Sequence, residues 1–239
     1  MKMRRILFVF VIAMLLFSSN ANASLLFFDD FNNGARQEWG NERGSWVTQN
    51  GVYFSSNIDP NTYPTYSVSS VTSLLSLTDF IVEVDLNNTA AGGVYLRSSD
   101  INNGILLVYA GEGGTYNGLY WHILENGFTT PQANRGDYPG LIGSNAHLKI
   151  EVIGDTYQAF LNEEINPITT FVTNQYSSGR VALYQAENKF PSINQHSYDN
   201  FSISNFNEPL NTVPEPATML LLGSGCVCMM WHRRCILKV

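Results

Sequence analysis

The sequence predicts an all-β fold, two antiparallel sheets packed as a sandwich, flanked by an N-terminal signal helix and a C-terminal hydrophobic helix. Three observations carry this. Apolar residues in the body alternate with polar ones at period two, as in Phe80-Ile81-Val82-Glu83-Val84-Asp85-Leu86, the pattern of a strand buried on one face. Turn dipeptides punctuate these runs at Asn50-Gly51, Asn103-Gly104, Asn126-Gly127 and Ser178-Gly179. No long apolar stripe at helical spacing occurs between the two ends, so a helix would have no face with which to pack.

Taken in order, the chain opens with Lys2, Arg4 and Arg5, an unbroken apolar run from Ile6 to Phe17, and the small-x-small triplet Ala21-Asn22-Ala23. This is the layout of a secretory signal over residues 1–23, with the mature chain starting at Ser24. Strands are expected at 45–49 and 52–55 around Asn50-Gly51, then at 66–71, 80–86, 93–97, 105–110 and 119–125. Residues 147–153, a Gly154-Asp155 turn and residues 156–161 read as a hairpin. Further strands are expected at 180–184 and 198–204. Short strands at this spacing, with no helices between them, build a single sandwich domain over residues 24–206. Residues 207–212 are the linker that follows.

The far end is a different kind of sequence. Val213-Pro214-Glu215-Pro216-Ala217-Thr218 leads into an apolar run from Met219 to Trp231, closed by His232-Arg233-Arg234. From Ala217 to Trp231 the helix would be roughly 22 Å long, short for a stable span of about 20 residues. Basic residues placed just after a marginal span resist translocation and stay in the cytoplasm. Pro214 and Pro216 keep a helix from running back into the domain. The segment 213–236 is therefore expected to be a membrane handle, with the body of the protein outside.

Val213-Pro214-Glu215-Pro216, the apolar run and Arg233-Arg234 resemble the PEP-CTERM sorting signal of Gram-negative bacteria. The resemblance implies recognition by an exosortase, a membrane cysteine peptidase expected to remove the tail. It also implies a signal peptidase at the N-terminus, an inner-membrane intermediate, a final place at the cell surface or in the medium, and an exopolysaccharide or biofilm setting. It covers residues 213–234 alone, and the chain departs from the pattern by continuing from Cys235 to Val239. A permanent C-terminal anchor is the alternative.

Composition narrows what the body can do. All three cysteines, Cys226, Cys228 and Cys235, lie in the tail, so the body has neither a disulfide nor a cysteine zinc site. Between the two ends stand seven Lys and Arg against 19 Asp and Glu, a net charge near −12. Phosphate-rich partners would be repelled, which excludes nucleic acid. An acidic, neutral-sugar or calcium-bearing partner fits better.

Several segments in order resemble the concanavalin A-like lectin and glucanase sandwich, including laminin-G-like and 3-keto-disaccharide hydrolase-like domains. They are Asp29-Asp30-Phe31, Gly93-Val94-Tyr95-Leu96-Arg97, Ala159-Phe160-Leu161-Asn162, Gly179-Arg180-Val181-Ala182-Leu183-Tyr184 and Tyr198-Asp199-Asn200-Phe201-Ser202-Ile203. The resemblance spans roughly residues 25–205 and implies a jelly-roll sandwich. Glucanases of this kind carry a Glu-x-Asp-x-x-Glu motif on one strand. Here Glu83 and Asp85 fill the first two places, but Asn88 stands in the third. An amide cannot protonate a leaving group, and a retaining hydrolase needs two carboxyl groups about 5–5.5 Å apart. No His-x-x-x-His or Gly-x-Ser-x-Gly occurs. The expectation is that the protein is not an enzyme.

Two candidate sites remain. In this family the first and last strands run side by side, which would bring Asp29 and Asp30 near Asp199; carboxylates and carbonyls suit a structural calcium ion. Sugars are held by aromatic faces flanked by planar polar groups, and Tyr95, Arg97, Tyr109 and Trp121 are the expected glycan contacts. Tyr120 with His122 is the alternative to Trp121, and Tyr116 and Tyr138 stand in glycine-rich loops. Trp39 and Trp46 are assigned to the core or a sheet edge. The reading is a non-catalytic, lectin-like protein that binds polysaccharide. A hydrolase acting on a sugar derivative would require Glu83 or Asp85 to face a groove with another carboxyl nearby. A matrix protein without a ligand is the third possibility.

Overall fold

Period-two patterning becomes burial on alternate faces. Along Phe80–Asn87 every second residue is buried, and Phe80, Val82, Val84 and Leu86 are at most 1% exposed. The structure is a computed structural model that describes residues 24–57, 66–89, 91–111, 118–130, 143, 145–186 and 196–206. They fall within one unit, Ser24–Phe206. The signal segment 1–23, the linker 207–212, the sorting signal 213–236, Tyr116 and Tyr138 lie outside the described residues.

Among the described residues there are strands and no helix. The strands are β1 (Ser24–Asp29), β2 (Trp39–Arg43), β3 (Ser45–Gln49), β4 (Val52–Asn57), β5 (Tyr66–Val71), β6 (Phe80–Asn87), β7 (Gly92–Asp100), β8 (Asn103–Ala110), β9 (Gly118–Glu125), β10 (Phe128–Thr130), β11 (Ala146–Ile153), β12 (Thr156–Leu161), β13 (Thr169–Val172), β14 (Arg180–Ala186) and β15 (Ser197–Asn205). One sheet has the order β13-β12-β11-β6-β15-β4-β3, with β1 also on β15; the other is β10-β9-β8-β7-β14-β5-β2. Pairing is antiparallel in both sheets. This is the two-sheet jelly-roll sandwich that the sequence predicts.

Local chemistry explains where the elements end. Asn50-Gly51 and Asn126-Gly127 both adopt positive φ (53° and 77°, 53° and 80°), which two-residue hairpin turns demand. Asn103-Gly104 does not make the expected turn: both residues belong to β8, and the turn falls at Ile101-Asn102. The Asp100 carboxylate accepts the Asn102 N–H at 2.7 Å and both Asp100 oxygens take the Asn103 amide, an Asx arrangement that outcompetes the Asn-Gly signal. Gly44 (φ 86°), between β2 and β3, carries the chain from one sheet to the other. A Cβ there would collide with Ser67.

Four strands were not expected from periodicity. β1 reads Leu-Leu-Phe-Phe because a bulge between Leu25 and Phe27 breaks its alternation. β2 carries a register shift between Gly40 and Arg43. β10 and β13 are only three and four residues long, too short for a pattern to declare itself.

The core lies between the sheets. Phe80, Val82, Val84, Leu86, Leu148, Ile150 and Val152 from the eight-stranded sheet join Val94, Leu96, Ile105, Leu107, Trp121, Val181 and Leu183 from the other in one buried cluster. Burying each large apolar side chain stabilises by about 1.5–3 kcal/mol. That is enough to build a domain whose body has no cysteine.

Candidate functional site

Strand alternation divides the expected glycan contacts. Register aligns Ala182, Tyr95, Leu106 and His122 in one row across β14, β7, β8 and β9, and Tyr184, Gly93, Val108 and Tyr120 in the next. Tyr95, Tyr120 and His122 therefore share the outer face of the seven-stranded sheet. Tyr109 and Trp121 face the other way, into the core. Trp121 stacks on Phe171 (5.7 Å) and donates its indole N–H to Thr169 at 3.0 Å. Tyr109 donates to the Gly143 carbonyl at 2.7 Å, and burial pushes its hydroxyl pKa up to about 12.

Tyr95 is on the outer face yet fully buried, packed on Tyr184 at 5.8 Å. Arg97 departs from alternation. Its φ of 47° and the register shift after Leu96 turn it inward. There its guanidinium donates to the carbonyls of Thr78, Tyr176 and Gly154 and to the Tyr157 hydroxyl. Gly179 must be glycine because a Cβ would strike the Arg97 backbone. The expected groove of Tyr95, Arg97, Tyr109 and Trp121 does not form: Arg97, Tyr109 and Trp121 turn into the space between the sheets, and Tyr95 is buried in a separate cluster on the outer face.

The first and last strands do run side by side, with Asp29 opposite Phe201 and Asp30 close enough for its charge to act on Asp199, but the three carboxylates are differently employed. Asp29 is buried, and its carboxylate accepts the N–H groups of Phe31 (2.9 Å) and Arg36 (2.8 Å) and the Trp39 indole (2.8 Å). Asp30, the next residue along the chain, is half-exposed and caps Asn32. Asp199 is half-buried on the outer face of the eight-stranded sheet, beside Asp85. Among the described residues no three His, Cys, Asp or Glu side chains are grouped to hold a metal ion. Calcium fits this set poorly, because three N–H donors already take most of the acceptor capacity of the Asp29 carboxylate.

Among the described residues two clefts stand open instead. The larger, about 460 Å³, lies where β2 of one sheet meets β3 and β4 of the other, lined by Trp39, Trp46, Tyr53, Asn41, Thr48 and Val47 among others. Its aromatic groups are fixed and show only their edges to solvent, Trp39 being 9%, Trp46 5% and Tyr53 2% exposed. The Trp39 indole is held by Asp29, the Trp46 indole donates to the Arg43 carbonyl at 3.1 Å, and the Tyr53 hydroxyl lies between Asn41 (3.1 Å) and Ser69 (2.8 Å). Tyr53 packs within 5.3 Å of both tryptophans. Arg36 closes one side, paired with Glu38 at 2.7 Å and lying over Phe27. The sequence placed both tryptophans correctly, in the core or at a sheet edge. It could not show that two edge strands bring them together, because β2 carries no alternating signal.

The second cleft, about 310 Å³, lies on the outer face of the eight-stranded sheet and includes Asp85, His147, Asp199, Asn145 and Asn162. Asp85 accepts from Asn200 at 2.8 Å and pairs with His147 Nδ1 at 2.7 Å. Glu83 stands two residues back on the same strand, next to Lys149 across the ladder.

No curated protein matches this chain. Residues 212–234 match the PEP-CTERM protein-sorting motif, which implies export and membrane-anchored sorting. Among solved structures, the sandwich is similar to the carbohydrate-binding module CBM66 from Bacillus subtilis, with 19% identity and a TM-score of 0.55 over 70% of this chain and 96% of that one. It is similar to the VIP36 exoplasmic/lumenal domain in its Ca2+/Man3GlcNAc-bound form, with 8% identity and a TM-score of 0.55 over 77% and 91%. It is also similar to a Bacillus subtilis protein of unknown function with a galectin-like fold, with 11% identity and a TM-score of 0.51 over 76% and 96%. Identities this low show a shared fold and nothing more. The chain thus joins a PEP-CTERM protein-sorting motif to a jelly-roll sandwich of the kind found in CBM66 and galectin-like structures.

Proposed function

We propose that the chain is an exported glycan-binding protein whose edge cleft holds sugar residues on Trp39, Trp46 and Tyr53, and that it binds without catalysing. The observation that carries this is the cleft itself. Its volume falls in the range of small-ligand sites, and it combines aromatic edges with two polar groups, Asn41, held by Tyr53, and Thr48. Aromatic rings pack on the apolar C–H faces of sugars, while the amide and hydroxyl select among their O–H groups. The names of two fold neighbours, a carbohydrate-binding module and a domain in a Man3GlcNAc-bound form, support the reading by analogy.

On this reading the basic, apolar N-terminus is a Sec-type signal cleaved after Ala23. Pro214, Glu215 and Pro216 mark the site presented to an exosortase, and Arg233 and Arg234 hold the tail in the inner membrane of a Gram-negative cell during sorting. The body is then delivered to the surface or the surrounding matrix, where polysaccharide is the partner.

One observation favours a hydrolase: Asp85 lines a cleft with Asp199, its cross-strand neighbour. Both Asp85 oxygens are engaged, by His147 and Asn200, which suits a hydrogen-bonding role better than a nucleophilic one. Release of reducing ends from a polysaccharide by the full chain, lost in Asp85→Asn, would replace the binding reading.

The direct test is a glycan array probed with the full chain in a sugar-free detergent. Val47 is 39% exposed at the cleft, so Val47→Arg blocks the opening without touching the core. Binding lost in Val47→Arg at unchanged melting temperature supports the assignment, and binding kept by Val47→Arg removes it.

A further inference from the structure

We propose that the second cleft is a sugar subsite that reads hydroxyl groups by hydrogen bonds alone; this rests on the glycan-binding reading above. Register places His147 beside Asp85, and Asp85 beside Asp199. The three side chains stand in one row across β11, β6 and β15, on the face turned away from the core.

The two asparagines at the rim are oriented. Asn145 Oδ1 accepts the Asn88 N–H at 2.8 Å, and Asn162 Oδ1 accepts the His147 N–H at 3.1 Å. With each amide oxygen spent on backbone, the NH2 end is the group left over. Among the described residues, neither NH2 group nor His147 Nε2 has a partner. Asp199 supplies the acceptor. Burial first, and then the charges of Asp85 and Asp30, hold its carboxyl above the ordinary range. A ligand O–H donated to it would ease that crowding.

A ring hydroxyl both donates and accepts, so fixed amide donors beside a carboxylate match neighbouring hydroxyls of one sugar unit. Among the described residues no Lys or Arg lines the cleft, which disfavours uronate or phosphate groups and favours a neutral hexose. Its volume, about 310 Å³, is at the small end for ligand sites, the size of a single unit. Among the described residues no large aromatic lines it either, so recognition falls on hydroxyl positions. Two subsites on one domain would raise affinity for a polymer through effective concentration, without any new contact.

The test is nuclear magnetic resonance on the full chain in sugar-free detergent, titrated with glucose, galactose, mannose and fructose. The side-chain NH2 signals of Asn145 and Asn162 are expected to shift saturably with at least one hexose. Asn162→Ala or Asn145→Ala should weaken that response about tenfold, the loss of one hydrogen bond, and Val47→Arg should leave it intact. Amide signals that stay still while the Trp46 indole moves overturn this subsite and leave the edge cleft standing. Amide shifts with a still Trp46 support the subsite and remove the edge assignment. Stillness at both overturns both.

Discussion

The Arg97 guanidinium lies 3.2 Å from the Tyr157 hydroxyl, so a side chain from β7 of one sheet is bonded to a side chain on β12 of the other. Its ring contact with Tyr157 (5.3 Å) and its bonds to three carbonyls make this one of the polar links through the core. Arg97→Leu leaves those carbonyls buried without donors. We expect a loss of about 3–5 kcal/mol in stability, seen as a lower urea midpoint. A change below about 1 kcal/mol would contradict the structural role.

Asp29 makes a second prediction. Its carboxylate satisfies two backbone N–H groups and the Trp39 indole. Asp29→Ala should cost about 3 kcal/mol and loosen Trp39, and the drop in melting temperature should be the same in EDTA and in calcium. A drop that appears only with calcium present would restore the metal reading.

How much of this was legible in the sequence follows from which rule each residue obeys. Period-two alternation located β6, β11 and β12, the Gly154-Asp155 turn fixed the β11–β12 hairpin and Asn50-Gly51 the β3–β4 hairpin. Alternation also made Tyr95 and Arg97 neighbours on one face, yet a single residue at positive φ sends Arg97 inward. No feature of Leu96-Arg97-Ser98 announces that bulge. Tyr120 and Trp121 posed a choice that only register could settle, and register is a property of partner strands. The edge cleft was hidden for the same reason: Trp39 and Tyr53 are 14 residues apart on strands of different sheets.

His196 predicts an acid limb. It is fully buried, neither ring nitrogen has a partner among the described residues, and burial pushes its pKa down to about 3. The folded state holds it neutral while the unfolded chain takes a proton near its ordinary value of 6.5. Stability is therefore unaffected by His196 above that value and falls as pH drops from about 6.5 toward 3, by about 1.4 kcal/mol per unit. His196→Leu should flatten this slope and be more stable than the parent at pH 4, by urea titration at several pH values. An unchanged slope would show that the imidazole finds a partner.

Asp199 predicts the opposite sign. Its folded pKa is raised, by burial and by Asp85 and Asp30, so the folded state holds the proton more tightly. Stability drops as pH rises from the ordinary value of 3.8 through the raised one, and the penalty persists at neutrality. Asp199→Asn should raise the melting temperature at pH 7 and have no such effect at pH 3. A lower melting temperature at pH 7 would mean that the charge is stabilised by a group that the cleft geometry lacks.

The central claim is that an exported sandwich binds glycan at its tryptophan-lined edge. Calorimetric titration of the full chain, in sugar-free detergent, with exopolysaccharide from the cells that make it tests this most directly. The account predicts saturable heat that disappears in Val47→Arg and persists in a variant of equal charge placed far from the cleft, Ile165→Arg. Absence of binding, or equal heats from Val47→Arg and the parent chain, would contradict it.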